Sequence, residues 1–205
     1  MSLKPLDDEL RACYARNDLE GFRRALENGA DPNCRESDDL YASKLICQAV
    51  TDGKEEVVAL LLAHGADFVD QKERVTAPVL AVFHGRFGML DRLFAAYPVR
   101  DLDTTVAPLY SLVLTAVSRR NFKMIDYLIR MGCDVNRRNE DIYGYTPLDY
   151  AVRNGETEMV RFLLALGANP WLPGLSNRTP FESAEDSELE NGREILEILR
   201  EHNSQ

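Results

Sequence analysis

One pattern recurs along this chain at a near-constant interval, and it constrains the fold more than any other feature. Four short segments of the form Gly-Ala/Cys-Asp/Asn follow apolar helical runs, with their glycines at positions 29, 65, 132 and 167. The interval from 65 to 132 is twice about 33 residues, and residues 96–101 fill the gap with Tyr97 in place of the glycine. A fixed period of this kind indicates a repeat architecture, in which each unit packs against its neighbours.

Each unit has the same internal order, two short helices followed by a turn. In residues 146–167, Thr146 can cap the first helix, Pro147 suits its first position, and Gly155 and Gly167 end the two helices. Thr179 and Glu182 are spaced as a capping box. Helices of eight to ten residues are too short to be stable alone, so we expect neighbouring units to bury their apolar sides.

The unit Thr-Pro-Leu-x-x-Ala-x-x-x-Gly, a second helix, Gly-Ala-Asp/Asn and a turn of seven to ten residues resembles the ankyrin repeat over nearly all of the chain. The resemblance implies an all-α solenoid of about six stacked helix-turn-helix units joined by β-turn fingers. Residues 1–3 are interpreted as a remnant of cloning, and 4–205 as a single domain whose first and last repeats are caps. The predicted repeats span 4–36, 37–71, 72–104, 105–139, 140–173 and 174–205.

Some positions depart from the family pattern. The third unit has its proline, Pro78, shifted by one position and lacks Gly-Ala-Asp, which favours a slightly irregular joint. Asp149 and Glu182 stand where the family usually has histidine, so a carboxylate is expected to accept the capping contacts, with a small local effect. Asn177 replaces a turn glycine, and asparagine tolerates a positive φ angle.

Charge and hydropathy exclude two classes of partner. The chain has 24 lysines and arginines against 34 aspartates and glutamates, a net charge of −10 that would repel a nucleic acid backbone. Its longest uncharged stretch, 104–118, has 15 residues and contains a proline, fewer than the roughly 20 that span a bilayer. The N-terminus has no apolar core typical of a signal peptide. We therefore expect a cytoplasmic protein that binds neither nucleic acid nor membrane.

No pattern for catalysis, cofactor or metal binding is found. The three histidines, His64, His84 and His202, do not converge on the repeat map, and no phosphate-binding, nucleophile-elbow or zinc-peptidase motif occurs. The four cysteines form no C-x-x-C pair, which favours reduced structural thiols. The chain is therefore not expected to be an enzyme.

The resemblance places function on the turn tips and on the exposed ends of the first helices, which together line one concave surface. The residues at these positions are Val75, Phe83, His84, Tyr110, Arg119, Tyr145, Arg153 and Arg178. Tyrosine and arginine often dominate the binding energy of interfaces, so we interpret these eight groove residues as a basic, aromatic site for an acidic or mixed peptide. The alternative is that they are solvated, with some arginines neutralised by a carboxylate four residues away.

The most direct function for such a fold is non-catalytic protein binding, as a scaffold, adaptor or inhibitor. Six units spaced about 10 Å apart give a surface roughly 50 Å long, which suits a partner protein better than a metabolite. We expect a monomer. Two alternatives stay open: a bacterial effector or toxin-system component that targets a foreign protein, and an enzyme whose chemistry is grafted onto the stack.

Overall fold

The computed structural model describes residues 4–37, 43–68, 76–96, 111–139, 144–174 and 177–202. In these ranges the regular structure is helical, apart from one isolated bridge between Arg35 and Lys44. The helices are α1 (Lys4–Arg16), α2 (Leu19–Glu27), α3 (Leu45–Asp52), α4 (Glu55–Ala63), α5 (Ala77–Phe83), α6 (Phe87–Ala96), α7 (Leu112–Ser118), α8 (Phe122–Arg130), α9 (Pro147–Arg153), α10 (Thr157–Ala165), α11 (Pro180–Glu185) and α12 (Gly192–His202). The all-helical prediction is confirmed.

The helices form pairs, and the chain divides into two compact units, Met1–Pro98 and Val99–Gln205. In the first unit the pairs α1–α2, α3–α4 and α5–α6 are in contact, and α3 packs against α5 while α4 packs against α2 and α6. In the second unit α7 packs against α9 and α9 against α11, while α10 packs against α12. First helices therefore pack on first helices and second helices on second helices, as the repeat pattern predicts.

The core of each unit comes from the apolar residues of both helix rows. In the first unit Ile46, Leu61 and Leu90 are fully buried, and in the second Leu128 and Leu163 are. Leu61 and Leu163 hold the same position in α4 and α10. Their burial agrees with the expectation that neighbouring units bury the apolar sides of the helices.

The turn between the two helices of a repeat requires a left-handed residue. Glycine supplies it at Gly155, where φ is +67°, as predicted. Asn17 and Arg120 take the same place in the first and fourth pairs, with φ of 55° and 52°. Asn177 also has a positive φ, 56°, which confirms its interpretation as a turn residue.

The predicted helix caps are present. The Thr146 hydroxyl accepts a hydrogen bond from the Asp149 amide, and Pro147 begins α9. The Thr179 hydroxyl accepts from the Glu182 amide at 3.1 Å, while the Glu182 carboxylate accepts from the Thr179 amide at 2.8 Å. The start of α11 is therefore a complete capping box.

Glu182 makes this cap sensitive to acid. Its hydrogen bonds from the Thr179 amide and hydroxyl lower the pKa of the carboxyl below the ordinary value of 4.5. A lowered pKa in the folded state means that the contribution to stability is present above about pH 4.5 and is lost as the pH falls through the folded-state pKa. We expect the protection factor of the Thr179 amide, which is its hydrogen-exchange rate relative to the intrinsic rate at the same pH, to fall over that acidic range. In a Glu182→Gln variant the amide oxygen still accepts but does not titrate, so an equal pH dependence there would contradict this origin.

The fingers, defined as the segments that join one second helix to the next first helix, are linked by asparagine side chains. The Asn33 side-chain oxygen accepts from the Asp67 amide at 2.6 Å, and that of Asn136 accepts from the Asn169 amide at 2.7 Å. Both asparagines hold the fifth position of a Gly-Ala/Cys-Asp-x-Asn segment. These two fingers are therefore each fastened to the finger of the following repeat.

Candidate functional site

In the first unit, two of the predicted groove residues lie at the end of α5. Phe83 is the last residue of this helix, and its side chain is 44% exposed although it is large and apolar. His84 follows it as the helix C-cap and is exposed, with its ring edge-on to Phe83 at 5.3 Å. The two side chains form a small exposed aromatic pair. Val75 and Tyr110, which were also predicted to line the groove, lie outside the described residues.

In the second unit, Arg153 is held in place by a buried carboxylate. Asp149 lies one turn earlier on α9 and is 0% exposed, and both of its oxygens accept from Arg153 Nε at 3.0 Å. Ser183 of α11 donates its hydroxyl to Asp149 at 3.0 Å and accepts from Arg153 Nη2 at 2.9 Å. The guanidinium carbon also lies 5.1 Å from the centre of the Tyr145 ring. This cluster therefore joins the fifth and sixth repeats.

The cluster changes the interpretation of two residues. Asp149 was expected to accept capping contacts with a small local effect, but Thr146 caps the helix and the Asp149 carboxylate instead bonds across to the next repeat. Arg153 was interpreted as part of a basic site, with neutralisation by a carboxylate four residues away as the alternative, and its ion pair with Asp149 is a contact of that second kind. The four-residue spacing from Asp149 to Arg153 is visible in the sequence, but the burial of the carboxylate is not.

Arg178 is also paired with a carboxylate. Its Nη2 atom donates to the Glu182 backbone oxygen at 3.0 Å and forms an ion pair with Asp186. Both contacts hold the residue beside α11 at the start of the last repeat. With Arg153 and Arg178 each facing a carboxylate, the fifth and sixth repeats are less basic at the predicted groove than their arginines alone indicate.

Arg119 belongs to the fourth repeat. It therefore lies at the other end of the second unit's row of first helices from Arg178. It is the C-cap of α7 and is exposed. Since α7 packs against α9, and α9 against α11, the three first helices carry Arg119, Tyr145 with Arg153, and Arg178 in the order of the repeats. The second unit thus presents arginines and a half-buried tyrosine along one row of helices.

Two cavities lie at the junctions between neighbouring helix turns. The first, about 350 Å³, is lined in part by Tyr14, Phe22, Lys54 and Val57 of the first unit. Lys54 donates to the Tyr14 backbone oxygen at 2.9 Å, and its ammonium group lies 3.8 Å from the centre of the Tyr14 ring. The Tyr14 hydroxyl donates to Asp52 at 2.6 Å, and burial together with this contact raises its pKa. These polar groups bind one another, so we interpret the cavity as a packing gap between repeats.

The second cavity, about 230 Å³, has the equivalent position in the second unit and includes Phe122 and Met159. At its edge Arg120 Nε donates to Glu156 at 3.0 Å, which ties the fourth pair of helices to the fifth. Beside each cavity, therefore, a long side chain joins the interhelical turns of two successive repeats. This side chain is Lys54 in the first unit and Arg120 in the second.

Within the described ranges, few groups of side chains suit chemistry other than protein binding. Within them, no group of three or more histidine, cysteine, aspartate or glutamate residues is arranged to hold a metal ion. None of the described helices combines the length and apolar character needed to cross a bilayer. All four cysteines are buried and none forms a disulfide. Burial, with the nearby Asp7 carboxylate, raises the pKa of the Cys34 thiol to about 12.

Comparison with known proteins identifies the repeat. A family model described as ankyrin repeats in three copies matches residues 100–173. The chain is similar to the solved ankyrin repeat domain of an Acinetobacter baumannii protein, with 24% identity, a TM-score of 0.73 and coverage of 95% of this chain and 97% of that one. It is also similar to the ankyrin repeat domain of Bcl-3, a member of the IkappaB protein family, with 23% identity, a TM-score of 0.74 and coverage of 96% and 85%. The solenoid fold is confirmed.

Curated relatives match over shorter stretches. Mouse protein phosphatase 1 regulatory subunit 27 is 30% identical over 102 residues, which are 49% of this chain and 65% of that protein. The chain spans less than two thirds of the length of the first curated relatives that it matches.

Proposed function

Since the chain is an ankyrin-repeat protein, we propose that it binds another polypeptide and carries out no catalysis of its own. Ankyrin repeats generally mediate protein–protein interaction and are typically non-catalytic. Two comparisons support a role exerted on a partner protein: one relative is named a regulatory subunit of a phosphatase, and one solved neighbour is a member of the IkappaB family. We also propose that the protein is a monomer, that it lies in the cytoplasm and that it needs no cofactor.

The binding surface that we propose is the row of first-helix ends in the second unit. The observation that carries it is the fixed position of Arg153 over Tyr145, since Asp149 and Ser183 hold the guanidinium group before any partner arrives. A side chain that is already ordered loses little conformational entropy on binding. Arginine and tyrosine are also the residue types that most often dominate interface energies. In the first unit, the exposed pair of Phe83 and His84 is proposed as a separate contact for a partner.

The charges of this surface indicate which kind of peptide it would bind. Asp149 compensates Arg153 and Asp186 compensates Arg178, so these two arginines add little net positive charge for an acidic peptide. We propose that they donate hydrogen bonds to backbone or side-chain oxygens of a mixed peptide. Arg119, exposed at the end of α7 in the fourth repeat, extends the proposed surface.

Capture of partners from a lysate of the source organism tests the surface. We expect an Arg119→Glu, Tyr145→Ala variant to lose its partner while its far-UV circular dichroism stays close to that of the native chain. Its melting temperature falls somewhat, because the half-buried Tyr145 ring contacts Arg153. Lys123 on the second helix α8 is also exposed, so Lys123→Glu is a matched control for charge reversal and should retain the partner. Equal capture by both variants would place the binding site elsewhere.

A further inference from the structure

The row of first-helix ends in the first unit also holds a carboxylate. Asp52 is the last residue of α3 and is exposed, and it directly precedes the left-handed Gly53. His84 precedes the left-handed Gly85 in the same way at the end of α5, which packs against α3. Asp52 was not one of the eight predicted groove residues, but it extends the contact proposed at Phe83 and His84 by one repeat.

Two neutral donors hold the Asp52 carboxylate in place. The Tyr14 hydroxyl of α1 donates to Oδ2 at 2.6 Å, and the Gln48 side-chain amide, one turn earlier on α3, donates to Oδ1 at 3.0 Å. Tyr14 is itself fixed, because the Lys54 ammonium group lies 3.8 Å from the centre of its ring. The carboxylate is therefore ordered before any partner arrives, and neither donor compensates its charge.

The nearby cations bind other acceptors. Lys54 and Arg86 donate to backbone oxygens at 2.9 and 2.8 Å, and Arg16 Nη2 lies 3.7 Å from the Cys13 sulfur. Among the residues that the structure describes, Asp52 has no ion pair with a lysine or an arginine. Its charge is therefore left for a partner, whereas the charges of the predicted arginines in the fifth and sixth repeats are compensated.

We propose that Asp52 binds an arginine of a partner polypeptide, so that the first-helix ends of the first unit take up a basic segment. This inference rests on the proposed function, protein binding, and names the chemistry of a second contact. A guanidinium group can donate two parallel hydrogen bonds to a carboxylate, and each Asp52 oxygen has accepting capacity left beside its one neutral donor. An acidic or purely apolar segment at this place would leave the Asp52 charge without a partner as water is excluded.

Gln48 is a direct probe of this contact, because its side-chain amide donates to Asp52. In NMR spectra of the isotope-labelled protein, a short amidated peptide of alternating arginine and glycine should shift the Gln48 side-chain resonances saturably, and the apparent affinity should fall as salt is raised. Glu-Gly and Leu-Gly peptides of the same length should not shift them. The absence of a saturable shift with the Arg-Gly peptide, or an equal shift with the Leu-Gly peptide, would overturn the proposal. Shifts on concentrating the protein alone would overturn it too, since they would indicate a second copy of the chain as the occupant.

Variants separate the contact from the overall charge of the protein. Asp52→Asn retains the shape of the side chain and should weaken the calorimetric affinity for the Arg-Gly peptide about threefold or more, as expected for an exposed ion pair. Glu27→Gln removes the same charge from an exposed position on α2 and should leave the affinity unchanged. Tyr14→Phe removes the hydroxyl that holds Asp52 but keeps the ring, so it should weaken the affinity by a smaller factor. Equal affinities of the Asp52→Asn and Glu27→Gln variants, or an unchanged affinity of the Tyr14→Phe variant, would overturn the proposal.

This experiment is independent of the surface proposed in the second unit. Arg119→Glu with Tyr145→Ala should leave the peptide titration of Gln48 unchanged, because both substitutions lie in the second unit. If this double variant loses a captured partner while the Arg-Gly peptide leaves Gln48 unaffected in the native chain, protein binding stands and the Asp52 contact is wrong. If the peptide shifts Gln48 in both proteins and both capture the partner equally, the Asp52 contact stands and the second-unit surface is wrong.

Discussion

Replacing Arg153 by leucine should destabilise the second unit by about 3–5 kcal/mol, as expected when one partner of a buried ion pair is removed. The reason is the position of Asp149, which is 0% exposed and takes its charge-assisted hydrogen bonds from Arg153. Without the guanidinium group, Asp149 keeps only one of these hydrogen bonds, the one that the Ser183 hydroxyl donates. Urea denaturation followed by circular dichroism measures the loss.

The second unit supplies a matched control for this prediction. Arg130 and Asp126 have the same spacing on α8, but their side chains are 78% and 41% exposed, so Arg130→Leu should cost at most about 1 kcal/mol. An Asp149→Asn, Arg153→Leu double variant should recover part of the stability, because no buried charge is left without a partner. Similar losses of unfolding free energy for Arg130→Leu and Arg153→Leu would show that the burial of Asp149 does not account for the effect of Arg153→Leu.

Truncating Leu163 to alanine should cost about 2–5 kcal/mol, and Leu61→Ala should cost a similar amount in the first unit. Both leucines are fully buried in second helices, so each truncation leaves a cavity between packed helices. In a repeat protein each unit is stabilised chiefly by its neighbours. Hydrogen exchange should therefore rise most in the unit that carries the substitution.

Nearby leucines serve as controls for the truncations. Leu60 and Leu166 are only partly buried, so Leu60→Ala and Leu166→Ala remove the same atoms with a smaller loss of stability. If Leu61→Ala were no more costly than Leu60→Ala in urea denaturation, the assignment of the buried face of α4 would be wrong.

The sequence predicts most of the fold because the repeat signal is local. Thr146, Pro147 and Gly155 act at the ends of α9 through hydrogen bonds and backbone angles within a few residues, and each has the predicted role. Features of this kind depend little on packing.

The candidate site is harder to predict because it depends on burial between repeats. The sequence shows that Asp149 and Arg153 are four residues apart, but not that Ser183 joins them across thirty or more residues.

The asparagine links between fingers also bear on how such a gene can change in length. The Asn33 link spans 34 residues and the Asn136 link spans 33, so each acceptor meets a donor about one repeat further along the chain. A duplication or deletion of one whole repeat leaves every acceptor opposite an equivalent donor, whereas a change of half a repeat would place it against a helix. The links therefore favour evolution by whole modules, and recombinant chains should be joined at equivalent finger positions.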